Sequence, residues 1–124
     1  MPQSISPPEE IVSDTGPIIT LERLLGGFAL LLRLYRRILI PPQVLNELTA
    51  GLYISGDHLQ HYQVDDFIVV VAAPPPSPEL ARLDDGEQHA IALALERRLP
   101  LLIEDRMARQ VAEEQGLVTS GIAG

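Results

Sequence analysis

Four acidic residues occupy positions of the sequence that suggest more than surface charge. Asp14 and Asp105 each close a short apolar run, and Glu47 and Glu87 share helical spacing with apolar neighbours. Open parallel sheets bind ligands at the carboxyl ends of their strands, so acids that end strands are candidates for a ligand site. Because the chain has no cysteine, any metal site must be built from carboxylates or histidines.

Each of these acids also has a structural explanation when it is taken alone. Asp14 and Asp105 are suited to cap the helices that follow them. Glu87, in the first turn of a helix, would complement the helix macrodipole. Glu47 is compatible with a surface position at the edge of an apolar stripe. The sequence alone leaves both interpretations open for each residue.

Other polar residues have simpler interpretations. Asp84 and Asp85 are interpreted as helix caps rather than ligands. His58 and His61 are three residues apart, but no third ligand lies near them in the sequence, so a metal site there is disfavoured. His89 lies on the polar side of its helix and carries no functional inference.

Short apolar strands that alternate with helices must position the four acids. The predicted strands cover 11–14, 38–40, 67–71, 101–105 and 117–120. The predicted helices cover 17–25, 28–37, 43–50, 84–98 and 106–115. This alternation indicates an α/β fold, a three-layer α/β/α sandwich with a mainly parallel central sheet. We expect a flexible N-terminal segment at 1–10 and a single domain at 11–124.

Charge and composition argue against several classes of protein, namely broad nucleic-acid binders, membrane proteins and secreted proteins. The chain of 124 residues has a formal charge of −8, which argues against broad coating of nucleic acid but allows a nucleic acid held locally as a substrate. Arginines interrupt the most apolar stretch, at 28–40, so no membrane span is expected. The N-terminal residues have neither a basic flank nor an apolar core, so no secretory signal is expected either. We therefore expect a cytoplasmic protein.

Four motifs in a fixed order carry a resemblance to a known family. They are IVSDTGPII at 11–19, PQVLNEL at 42–48, LDDGEQHAIALA at 83–94 and LLIEDRMAR at 101–109. With the ending GLVTSG at 116–121 they cover nearly the whole chain. Together they resemble the PIN-domain nucleases, in particular the bacterial and archaeal branch akin to the toxin halves of toxin–antitoxin pairs.

The resemblance implies a metal-dependent phosphodiesterase that hydrolyses RNA as an endoribonuclease. It places Asp14, Glu47, Glu87 and Asp105 in the family's acidic cluster, as catalytic residues and metal ligands. Converging carboxylates repel one another unless a divalent cation lies among them, and ligands that are all oxygen select Mg²⁺ or Mn²⁺. The resemblance also implies an antitoxin-like protein partner.

The chain departs from the family pattern near its end. Ile103 stands where many relatives have a hydroxyl residue, and Arg106 and Met107 stand where a further acid is common; Glu104 is a possible substitute. The chain also stops shortly after Gly121, where relatives commonly continue into more helix. The missing piece would either expose apolar surface, which favours a homodimer or an exchange of elements between subunits, or leave the site incomplete.

Two other functions compete with the nuclease hypothesis. One is a catalytically inactive PIN-like protein that serves as an interaction or oligomerisation module. The other, a response-regulator receiver, is disfavoured because that family needs a lysine and this chain has none.

Two groups of arginines also have two interpretations each. Arg106 and Arg109 could hold a phosphate of the substrate, or could pair with nearby acids, which we favour. The cluster at 33, 36 and 37 is either a partner-docking surface or a solvated face.

Overall fold

The computed structural model describes residues 10–23, 33–50 and 67–121. Within these ranges, strands alternate with helices, as the sequence predicts. The strands are β1 (Glu10–Ser13), β2 (Arg37–Ile40), β3 (Ile68–Val70), β4 (Leu101–Leu102) and β5 (Thr119–Ser120). The α-helices with assigned bounds are α1 (Thr15–Arg23), α2 (Pro42–Ala50), α3 (Asp85–Arg97) and α4 (Arg106–Glu114), and a short 3₁₀ helix covers Pro78–Leu80.

The five strands form one sheet in the order β3-β2-β1-β4-β5, and every described pairing is parallel. Strand β1 lies at the centre, where Val12 is in register with Leu39 on one side and Leu101 on the other. The carboxyl ends of parallel strands lie at one edge of a sheet, so the residues after β1 and β4 are close neighbours. The predicted α/β fold with a mainly parallel sheet is confirmed.

The core surrounds the central strands. Ile11 and Val12 point to opposite faces of the sheet and both are fully buried, because helices cover a parallel sheet on both faces. Strand β2 likewise has three consecutive buried apolar residues, Ile38, Leu39 and Ile40, as expected for a strand with both faces covered. Among the described residues, no helix is both long enough and apolar enough to cross a membrane.

Several element boundaries differ from the sequence prediction. Helix α1 begins at Thr15 rather than Pro17, since a proline in the first turn loses no helical hydrogen bond and so does not mark the first residue. The helix predicted at 28–37 is wrong at its end, because Arg37 already belongs to β2. Its part at 28–32 lies outside the described residues, as do residues 24–27, the N-terminal segment at 1–9 and the histidines at 58 and 61.

Candidate functional site

The four predicted site residues lie at the carboxyl edge of the sheet or on helices that begin there. Asp14 directly follows β1, and Asp105 follows β4 and precedes α4. Glu47 lies on α2, and Glu87 lies in the first turn of α3. The carboxylates that interact electrostatically with Asp14 are those of Glu87, Asp84 and Glu47, in that order, whereas Asp105 acts on Glu87. The structure therefore brings Asp14, Glu47 and Glu87 together, with Asp105 beside Glu87.

Asp14 is the most unusual of these residues. Its side chain is buried, with 7% exposure, and its Oδ1 atom has no hydrogen-bond partner among the described residues. Burial raises the pKa of Asp14 from its ordinary 3.8 to about 7; a backbone hydrogen bond from Thr15 opposes this shift, and the charges of Glu87, Asp84 and Glu47 add to it. A buried carboxylate oxygen without a partner is rare in folded proteins. This geometry points to a ligand at Asp14.

The carboxylate of Glu47 is held by two donors from other elements. The hydroxyl of Thr15, at the start of α1, donates a hydrogen bond to Oε1 of Glu47. The backbone N–H of Gly86, at the start of α3, donates a hydrogen bond of 3.2 Å to Oε2. Glu47 is therefore tied to the residue that follows Asp14, and its charge adds to the electrostatic repulsion at Asp14. Its position is internal to the site rather than on an open surface.

Glu87 combines a structural role with its place in the site. It forms a capping box with Asp84: the Glu87 N–H donates to Oδ1 of Asp84 at 2.8 Å, and the Asp84 N–H donates to Oε1 of Glu87 at 3.1 Å. Burial raises the pKa of Glu87, and the charges of Asp84, Asp105 and Glu47 raise it further. The prediction that Asp84 is a helix cap is confirmed. Glu87 uses only Oε1 in the box, so Oε2 remains for another partner.

The capping box gives a prediction for stability. We expect Asp84→Ala to lower the free energy of unfolding by about 1 kcal/mol, since the first turn of α3 loses its side-chain acceptor. Asp84→Asn is the matched control, because asparagine keeps the acceptor oxygen and removes only the charge. Urea unfolding of the three proteins measures the difference. Equal losses in both variants would show that the charge, and not the cap, matters.

Asp105 is exposed and caps α4, accepting a hydrogen bond of 2.9 Å from the N–H of Ala108 through Oδ2. The capping interpretation of this residue therefore holds, and Oδ1 remains for another partner. The neighbouring Glu104 accepts a hydrogen bond of 2.9 Å from the hydroxyl of Thr20 on α1. Ile103 is fully buried, so an apolar side chain suits this position.

The arginines near the site divide into two kinds. Arg109 donates to the hydroxyl of Thr119 and pairs with Glu113 at 3.7 Å, so the favoured interpretation, pairing with nearby acids, is confirmed for this residue. Arg106 is exposed at the start of α4. In the more distant cluster, Arg37 pairs with Glu10 at 3.1 Å across β1 and β2.

The chemistry of the candidate ligands fits a hard divalent cation, because all four are carboxylates. Among the described ranges, no group of three or more acidic or histidine side chains is arranged to hold an ion. The oxygen of Asp14 without a partner and the repulsion around it favour a cation there, and all donors are oxygen. Asp14 and Glu47 would hold the cation, with Glu87 and Asp105 joining through their remaining oxygens.

A separate apolar cavity of about 450 Å³ lies away from the acids. Leu99 and Pro100 precede β4, and Leu117 and Val118 precede β5, so this cavity is at the amino ends of the strands. It contains no acidic residue and is at the edge opposite Asp14. The chemistry of the site therefore does not involve this cavity.

Thr15 and Gly86 contact the Glu47 carboxylate but are not among the site residues predicted from the sequence. The signal for Gly86 was present, because a glycine inside a helix is less stable than alanine by about 0.5–1 kcal/mol and needs a reason. The reason is close approach: a Cβ atom on Gly86 would lie 2.5 Å from Oε1 of Glu47. Thr15 gave no signal, since a threonine near the start of a helix is common.

Comparisons with known proteins agree with this architecture. The model of a family described as a PIN domain, DUF3368, matches residues 10–124. A PilT N-terminus domain protein from the hyperthermophilic archaeon Sulfolobus solfataricus is similar in structure, with a TM-score of 0.69, 22% identity, and coverage of 92% of this chain and 87% of that one. A domain of a functionally unknown protein from Methanocaldococcus jannaschii is also similar, with a TM-score of 0.61, 19% identity, and coverage of 92% and 91%. No curated protein matches the chain.

Proposed function

The chain belongs to the PIN-domain family, and we propose that it is a metal-dependent endoribonuclease whose acidic site hydrolyses phosphodiester bonds of RNA. PIN domains are generally nucleases that use divalent metal ions, and the fold of this chain is theirs. The proposed cofactor is Mg²⁺ or Mn²⁺, since the site offers carboxylate oxygens and the chain has no cysteine.

One observation carries the proposal: the buried Oδ1 atom of Asp14, which has no partner among the described residues. Leaving a buried polar atom unpaired costs about 1–3 kcal/mol, and more for a charged group. The neighbouring charges of Glu87, Asp84 and Glu47 increase the penalty for the ionised form. A cation at this atom would give the oxygen a partner and would offset the neighbouring negative charges. A protein without a ligand there would be more stable with an apolar residue at position 14.

The residues of the chain divide the work as follows. Asp14 and Glu47 would hold the cation, together with Glu87 at the start of α3 and Asp105 before α4. A divalent ion held there supplies a more acidic water for attack on the phosphodiester and offsets the charge that develops on the phosphate. The same charge balance allows a protein with a formal charge of −8 to accept a phosphate at its most acidic point.

The experiment that tests this proposal is calorimetric titration with Mn²⁺. We expect the wild-type protein to bind Mn²⁺ saturably and Asp14→Asn to lose that binding, because the substitution removes the anionic oxygen at the centre of the site. The control is Asp85→Asn, which removes one negative charge close by from a side chain that is 70% exposed. The proposal would be wrong if the wild type and Asp14→Asn bound Mn²⁺ equally well. It would also be wrong if neither protein bound Mn²⁺.

A second candidate function is a catalytically inactive PIN-like interaction module. Glu87 and Asp105 favour it, because both carboxylates already have partners as helix caps. Such a module needs no cation, so the Mn²⁺ titration separates the two functions. The loss of binding in Asp14→Asn is expected only from the nuclease.

The proposal extends to partners. Resemblance to the toxin halves of toxin–antitoxin pairs supports an antitoxin-like protein partner and a cytoplasmic role. A homodimer is the proposed oligomeric state, and the exposed apolar side chains of Leu95 and Val118 provide surface for such a contact. Analytical ultracentrifugation of the purified chain distinguishes the dimer from the monomer.

A further inference from the structure

Three elements that are distant in the sequence meet at the carboxylate of Glu47. Thr15 on α1 lies 32 residues before Glu47, and Gly86 on α3 lies 39 residues after it. Each donates one hydrogen bond to a different oxygen of the carboxylate. Gly86 is buried in α3, and a Cβ atom there would lie 2.5 Å from Oε1 of Glu47, so an added side chain would have to displace the carboxylate.

The two hydrogen bonds fix a side chain that is otherwise mobile. Ordering a glutamate side chain costs up to about 1.5–2 kcal/mol of rotamer entropy, which a metal ion would otherwise have to offset on binding. An ionised carboxylate has about four lone-pair positions, and here two hydrogen bonds occupy one position on each oxygen. The remaining positions stay available for a cation.

We propose that Thr15 and Gly86 are positioning residues, which hold the Glu47 carboxylate in the orientation that ligates the cation. This inference rests on the proposed function, because it assumes that Glu47 is a metal ligand. A positioning role has one consequence that hydrogen bonds serving only to connect α1, α2 and α3 would not have. If the two residues position a ligand, weakening either hydrogen bond lowers the affinity for the cation in a protein that remains folded.

Calorimetric titration of the full chain with Mn²⁺ tests the proposal. We expect Thr15→Val, which replaces the hydroxyl by a methyl group of similar size, to raise the Mn²⁺ dissociation constant about tenfold. Thr15→Ser restores the hydroxyl and should return the affinity to within about twofold of the wild-type value. Gly86→Ala should weaken binding by about 10–100-fold, because its Cβ would lie 2.5 Å from Oε1 and displace the carboxylate.

The matched control is Thr49→Val, on the same helix as Glu47. Its hydroxyl donates to the carbonyl of Leu45 and contacts no acid in the described residues, so this variant should bind Mn²⁺ as the wild type does. Thermal unfolding in EDTA accompanies each titration and shows that the variants are folded. A structural tie alone would lower the unfolding temperature without the loss of affinity in Thr15→Val and its return in Thr15→Ser.

Two outcomes overturn the inference. If the wild type binds Mn²⁺ and Thr15→Val binds it equally well, the positioning role is wrong while the proposed function stands. If the wild type does not bind Mn²⁺, both are wrong. If the affinities change as expected but no RNA is cleaved, the positioning role is supported and the proposed activity is wrong.

Discussion

Asp14→Asn is expected to reduce cleavage of RNA at least about 100-fold. The substitution keeps the size of the side chain and removes the anionic oxygen that anchors the proposed cation, and a bound cation contributes several kcal/mol to stabilising the developing charge. The measurement is the initial rate of cleavage of a random-sequence pool of single-stranded RNA with Mn²⁺ in excess. A pool is used so that the result does not depend on one sequence.

The control for the cleavage rate of Asp14→Asn is the variant Asp85→Asn. Asp85 is the residue next to the capping aspartate, is largely exposed, and pairs with His89 at 3.3 Å rather than with the site. Both variants remove one negative charge from the same region, so a change in the long-range field affects them alike. We expect the Asp85→Asn rate to stay within about twofold of the wild type. Comparable losses in the two variants would contradict a specific role for Asp14.

The same substitution should stabilise the metal-free protein at high pH. The folded chain holds a proton on Asp14 up to a pKa of about 7, whereas the unfolded chain releases it near 3.8. The folded state therefore binds more protons between these values, and its stability falls as the pH rises through this window. The loss attributable to Asp14 reaches about 4 kcal/mol at pH 8. Asp14→Asn does not titrate and avoids this loss.

Urea unfolding in EDTA measures the effect at two pH values. At pH 8 we expect Asp14→Asn to be more stable than the wild type by up to about 4 kcal/mol. At pH 4 the wild-type carboxyl is protonated in the folded state, so the two proteins should have nearly equal stability. A wild type that is as stable as Asp14→Asn at pH 8 would show that the carboxylate has a partner in the protein itself.

Addition of Mn²⁺ at pH 8 should close most of the gap in stability between the wild type and Asp14→Asn. A ligand that binds only the folded state at 100 times its dissociation constant adds about 2.7 kcal/mol. The wild type should gain this stabilisation, and Asp14→Asn should not. A residue that lowers the stability of the free protein and is needed for binding is typical of functional sites, where activity and stability are in conflict.

Features that depend on neighbouring residues were predicted well from the sequence. The cap of α3 at Asp84 follows from residues within one helical turn, and the helix was expected to start there. The central strands contain consecutive apolar residues because both their faces are buried, and this pattern predicts β1 and β2. The strand ends differ from the prediction: β4 and β5 are two residues each, shorter than the runs at 101–105 and 117–120, because pairing with neighbours and not composition decides where a strand stops.

The sequence by itself determined the α/β class, the family and the presence of acids directly after β1 and before α4, since these follow from local patterns and motif order. Only the tertiary structure decided what each acid contacts. It buried Asp14 with an oxygen that has no partner among the described residues, and it placed Thr15 and Gly86 against Glu47 across separations of 32 and 39 residues. Hydrogen bonds between distant elements depend on how helices pack on the sheet, and spacing along the chain does not encode that packing.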